Sequence, residues 1–101
     1  MITVKLFGKN GKIVGVKTSG HSGLAESGND ILCAAVSTLV QTAYLAISDI
    51  YGDVAYKKSD DGLFEFNVPD GHDADVIIRA MYLGLQDLSS GYPQNLKLEE
   101  T

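Results

Sequence analysis

Ile2-Thr3-Val4-Lys5-Leu6-Phe7-Gly8-Lys9-Asn10-Gly11-Lys12-Ile13-Val14-Gly15-Val16-Lys17-Thr18 opens the chain, and its reading decides the fold class. Residues 2–7 and 12–18 are rich in β-branched and apolar side chains that broadly alternate with others, the pattern of a strand with one buried face. Between them stands Asn10-Gly11, two residues that tolerate the positive φ of a tight hairpin turn. The chain therefore begins with a β-hairpin.

Outward from this hairpin the same order recurs. A helix is expected over about 31–50, with Ile31, Ala35, Leu39, Thr42, Leu45, Ala46 and Ile50 at helical spacing and Asn29 or Asp30 as its N-cap. Gly52 closes it. Residues 54–58 and 63–68 flank Ser59-Asp60-Asp61-Gly62 and predict a second hairpin. A second helix is expected over 73–88, with Val76, Ile77, Ala80, Leu83, Gly84 and Leu88 on one stripe and Asp73 and Asp75 at its positive end. Ser89-Ser90-Gly91-Tyr92-Pro93 stops it, and residues 94–99 give a last strand. The order ββαββαβ predicts an α+β fold, a single-domain sandwich of a mostly antiparallel sheet and two helices over residues 1–101.

Composition bounds the rest. With 101 residues, 45% hydrophobic and 21% charged, the chain has the usage of one globular domain. No apolar run approaches the roughly 20 residues that a membrane span requires, and the N-terminus lacks the pattern of a signal peptide. No membrane association is expected. A single cysteine rules out an internal disulfide framework and points to a reducing cytoplasm. Residues 1–20 hold Lys5, Lys9, Lys12 and Lys17 and no acid, against a net charge of −5 for the whole. The acidic body argues against a general nucleic-acid binder, so no direct nucleic-acid contact is required. The lysine hairpin leaves one alternative, a non-enzymatic module that associates with an RNA-rich assembly. It fits a solvated strand face better.

The chemistry concentrates in Gly20-His21-Ser22-Gly23-Leu24-Ala25-Glu26-Ser27-Gly28-Asn29-Asp30-Ile31-Leu32-Cys33-Ala34-Ala35-Val36-Ser37. Cys33 falls in the first turn of the expected helix, where unpaired N–H groups and partial positive charge favour an anionic sulfur. His21 lies twelve positions earlier in a glycine-bearing polar loop, an unusual place for a core histidine. Together they are the minimum equipment for a sulfur nucleophile and its base. Asp30 would cap the helix, orient His21, or both. Backbone N–H groups at the helix start would stabilise an oxyanion, and Ser37, one turn after Cys33, would support the sulfur or a bound substrate. A lone cysteine beside Ala34-Ala35-Val36 also fits plain helix packing. No cofactor and no metal are expected. His72, among Asp70, Asp73 and Asp75, fits turn and capping chemistry better than a metal site.

The loop Gly20–Gly23 and the run Asp30–Ser37 resemble those of the bacterial ribosomal-processing cysteine protease family, Prp. Length, element order and the opening hairpin agree as well, so the resemblance covers essentially the whole chain. It implies a cytoplasmic endopeptidase, usually a homodimer, that supports ribosome assembly. Its implied substrate is a precursor of the large-subunit ribosomal protein numbered twenty-seven, from which it removes an N-terminal extension, cutting after a phenylalanine pair and before an alanine. By the same resemblance His21 and Cys33 are catalytic and Asp30 and Ser37 supporting. A substrate-gating loop containing Gly20, Ser22, Gly23 and Gly28 would close over the bound chain.

Overall fold

The computed structural model describes residues 1–21, 23, 30–59 and 62–101. The elements run β1 (Ile2–Lys9), β2 (Lys12–Ser19), α1 (Ile31–Tyr51), β3 (Tyr56–Lys58), β4 (Phe64–Asn67), α2 (Asp75–Gly91) and β5 (Leu96–Glu100). The opening hairpin turns on Asn10 and Gly11 with φ of 55° and 79°, the conformation this residue pair was expected to supply.

The strands form one sheet in the order β3-β4-β2-β1-β5, antiparallel except for the parallel pair of β1 with β5. That exception follows from the connections. The chain crosses from β4 through α2 to β5, and a helical crossover returns a strand in parallel sense to the one it left. Both helices cover the sheet face that carries Ile2, Val4, Leu6, Val16, Phe64, Phe66 and Leu96. The result is the expected α+β sandwich.

The opposite face is polar and meets solvent. Across it the strand register aligns Lys57, Glu65, Lys17, Lys5 and Glu99 in one row. Lys5 stands 4.0 Å from Glu99, and Lys12 at the hairpin end stands 3.3 Å from Asp75. Lys5, Lys12 and Lys17 thus each lie beside a carboxylate, and the basic patch suggested by residues 1–20 is partly offset once β4, α2 and β5 lie beside them.

The structure corrects the helix faces. On α1 the buried side chains are Leu32, Val36, Val40, Ala43 and Ile47, whereas Ile31, Leu45 and Ile50 are exposed. On α2 they are Ile78, Met81 and Leu85, while Val76 is 83% exposed and Leu83 49%. Each helix is apolar on two faces, and helical periodicity alone does not say which one meets the sheet. The expected stripes instead form the seam between the helices and the groove outside it, lined by Leu39, Ala46, Val76, Ile77 and Ala80. At this seam a Cβ on Gly84 would come within 2.9 Å of a Leu39 methyl, so the small residue sets the helix spacing.

Boundaries shift for local reasons. Strands β3 and β4 are shorter than expected, and Val54 enters the core from outside any strand. α2 begins at Asp75, after Ala74 as N-cap with no side-chain cap, and the Asp73 carboxylate accepts the Asp75 N–H at 3.1 Å. It ends at Gly91 because Tyr92 precedes Pro93 and takes a non-helical conformation. One helix is longer and more apolar than the sequence reading allowed for. α1 has 21 residues and a mean hydropathy of 1.7 in its most apolar window, enough by length and composition to cross a membrane. Here that apolarity serves the core and the helix seam.

Facing two ways, the helices predict a clear contrast. Leu85→Ala, at a fully buried position, should cost about 2–5 kcal/mol in urea unfolding. Leu83→Ala should cost less than about 1 kcal/mol.

Candidate active site

Opposite ends of α1 locate the site. The Tyr51 hydroxyl donates to the Asp73 carbonyl, and its ring stacks on His72 with centroids 4.3 Å apart. These partners follow β4, whose outgoing end bonds Val14 near the Asn10-Gly11 turn through the Val68 N–H (2.8 Å). The end of α1 therefore lies at the hairpin-turn end of the sheet. Its 21 residues span about 31 Å, so its start lies at the other end, where β2 finishes at Ser19. Cys33, in the first turn of α1, and His21, two residues beyond β2, thus belong to the same end of the molecule.

Asp30 fixes the first turn. It is 6% exposed, has extended backbone dihedrals, and is the N-cap of the two that the sequence left open. Its Oδ1 accepts the N–H groups of Leu32 and Cys33, each at 3.0 Å. Two of the helix's end donors are thereby satisfied. The same bonds change one expectation: the Leu32 and Cys33 N–H groups are engaged by a carboxylate and are not waiting for an oxyanion. Cys33 is partly buried, with its side chain packed against the core edge. Ser37 lies one turn later and is exposed.

His21 is held by its predecessor. Gly20 has a φ of +83°, and a Cβ there would fall 2.3 Å from the Met1 carbonyl oxygen. His21 itself is exposed. Among the residues expected in a gating loop, Gly20 is packed at the fixed end and Gly23 is exposed. Ser22 and Gly28 lie outside the described residues.

Sequence reasoning missed Gly62. This residue of the β3–β4 turn has a φ of +89°, and a Cβ on it would come within 2.5 Å of the Gly20 carbonyl oxygen. Its Asp-Gly context signalled a turn and nothing about a distant partner. His72 bonds through its backbone N–H to the Pro69 carbonyl at 3.2 Å, and its ring rests on Tyr51. Among the described residues, no group of three or more His, Cys, Asp or Glu side chains is placed to hold a metal.

The cap gives a direct test. Asp30→Ala should lower stability by about 0.5–2 kcal/mol in urea unfolding. Asp30→Asn, which keeps the acceptor oxygen, should recover most of that loss.

A family model described as Cysteine protease Prp matches residues 1–97. The ribosomal processing cysteine protease Prp of Bacillus subtilis (strain 168) is 29% identical over 97 residues, covering 85% of this chain and 84% of its own. Two crystal structures of the essential ribosomal processing protease Prp from S. aureus are similar over 100% of both chains. One carries a covalently linked product peptide, with a TM-score of 0.89 and 28% identity, and the other a substrate peptide, with 0.84 and 27%. This chain belongs to the Cysteine protease Prp family, and its enzyme class is that of a cysteine protease.

Proposed function

We propose that the chain is a cytoplasmic endopeptidase that removes the N-terminal extension of the large-subunit ribosomal protein numbered twenty-seven, through Cys33 and His21. The observation that carries this reading is the placement of both residues at one end of the sheet, Cys33 in the capped first turn of α1. The Cys33 sulfur passes its proton to His21 and attacks the carbonyl carbon of the scissile bond. Collapse of the tetrahedral intermediate expels the new amine, which takes the proton from His21 and leaves a thioester on Cys33. Water, deprotonated by His21, then hydrolyses the thioester and frees the thiol.

The buried Asp30 carboxylate adds negative charge beside the same turn, so the helix end does not stabilise a sulfur anion unopposed. An imidazolium at His21 would supply the compensating charge. The developing oxyanion would draw on donors other than the N–H groups held by Asp30. Gating by Gly20, Ser22, Gly23 and Gly28 and a supporting role for Ser37 belong to this reading. So does a single catalytic domain over residues 1–101.

The reading also includes a homodimer. Val76, Leu83, Leu45 and Ile31 leave large apolar side chains exposed on the helices, which supports burial against a second copy. A ribosome-binding module built on the lysine hairpin gains no support where Lys5, Lys12 and Lys17 each lie beside a carboxylate.

A peptide spanning a Phe-Phe-Ala junction should be cut between the second phenylalanine and the alanine. Cys33→Ala should abolish cleavage, and His21→Ala should slow it at least about a hundredfold. Undiminished cleavage by Cys33→Ala would overturn the mechanism. Sedimentation should show a dimer, shifted toward monomer by Val76→Asp.

A further inference from the structure

We propose that Gly62 is a positioning residue for His21: the β3–β4 turn presses backbone against backbone on Gly20 and fixes where the chain leaves β2. The inference rests on the reading of His21 as the catalytic base.

Three separate segments bring backbone close to backbone at this point, among the described residues. A Cβ on Gly20 would lie 2.3 Å from the Met1 carbonyl oxygen, and a Cβ on Gly62 would lie 2.5 Å from the Gly20 carbonyl oxygen and 3.4 Å from its carbon. Both glycines have positive φ, +83° and +89°, a region that side-chain-bearing residues rarely occupy. The Gly20 carbonyl is thus enclosed from the Gly62 side, while Gly20 itself backs onto the N-terminus.

That carbonyl matters because peptide bonds are planar. The Gly20 oxygen and carbon share one rigid plane with the nitrogen and Cα of His21. A group that pushes the oxygen also turns the base. Gly62 is well placed to hold it, since Ser59 and Leu63 are bonded to each other and the strand that follows is bonded to β2. The Ser59 N–H donates to the Leu63 carbonyl at 3.1 Å, and the buried Thr18 hydroxyl on β2 donates to the Phe64 carbonyl at 3.3 Å. β2 thus holds the hairpin that in turn holds the exit from β2. A Cβ at position 62 would stand almost an ångström inside ordinary contact with the oxygen, and displacements of that size at a reacting group cost about a hundredfold in rate.

Gly71 supplies the control. It has a φ of +80°, as unfavourable for a side chain as that of Gly62, but open space where a Cβ would go. Gly62→Ala and Gly71→Ala therefore share the conformational strain, and only the first presses on Gly20. Gly62→Asn carries the same Cβ with less strain, because asparagine tolerates positive φ, and serves if the alanine variant does not fold. The measurements are melting temperature, kcat and KM on the Phe-Phe-Ala peptide, and the imidazole NMR signals of the two histidines, His21 and His72.

The Gly62 variants should lose about tenfold or more in kcat with KM changed less than about threefold. Their His21 signal should move and their His72 signal stay. Gly71→Ala should melt lower by a similar amount, keep kcat, and disturb only His72. Wild-type kcat and an unmoved His21 signal in a folded Gly62 variant would overturn the inference. Full cleavage by His21→Ala would instead remove the reading of His21 as base, whatever Gly62 does.

Discussion

The buried carboxylate of Asp30 is the constraint on which the arrangement at this end of the molecule depends. One oxygen holds two consecutive N–H groups, those of Leu32 and Cys33, and so defines where α1 starts. Because Tyr51 ties the other end of the helix to Asp73 and His72, the rod has little freedom to slide along the sheet. Cys33 is placed by both restraints together. The cost is chemical: donors that satisfy a cap do not also serve an oxyanion, and a carboxylate at the helix start opposes its positive end. Under the proposed function, chemistry at Cys33 would then lean on groups outside α1, His21 first.

His21 arrives by a different route. It follows directly on β2, two residues beyond Ser19, and next to Gly20, whose backbone is packed against Met1 and Gly62. In the proposed mechanism the two groups would thus come from different layers of the sandwich, the sulfur from the helix layer and the imidazole from the end of β2. Packing between layers, through Leu32, Val36 and Val40 against Val4, Val16 and Phe66, keeps the layers in fixed relation. A core substitution far from Cys33 could therefore alter activity without touching either residue.

Much of this was legible in the sequence, and the failures have common physical causes. The Asn10-Gly11 turn, the Asp30 cap and the ββαββαβ order rest on local chemistry, which one chain displays directly. Helix faces were misassigned because α1 and α2 are apolar on two sides, so Ile31 and Val76 fit the periodicity as well as Leu32 and Ile78. The parallel partnership of β1 and β5 is set by a crossover and leaves no local signature. The lysines looked like a patch until Glu65, Glu99 and Asp75, distant in sequence, came beside them. Likewise the contact between Gly20 and Gly62 joins residues 42 positions apart, and neither carries a side chain that would advertise it.

The claim that Cys33 forms a covalent link to the chain it cuts is tested most directly by intact-mass spectrometry of the protein, quenched in acid during turnover of the Phe-Phe-Ala peptide. The account predicts a transient increase equal to the amino-terminal fragment less one water, mapping to Cys33 and absent from Cys33→Ala. Steady turnover with no adduct at any quench time, and product formed at the same rate by Cys33→Ala, would contradict it.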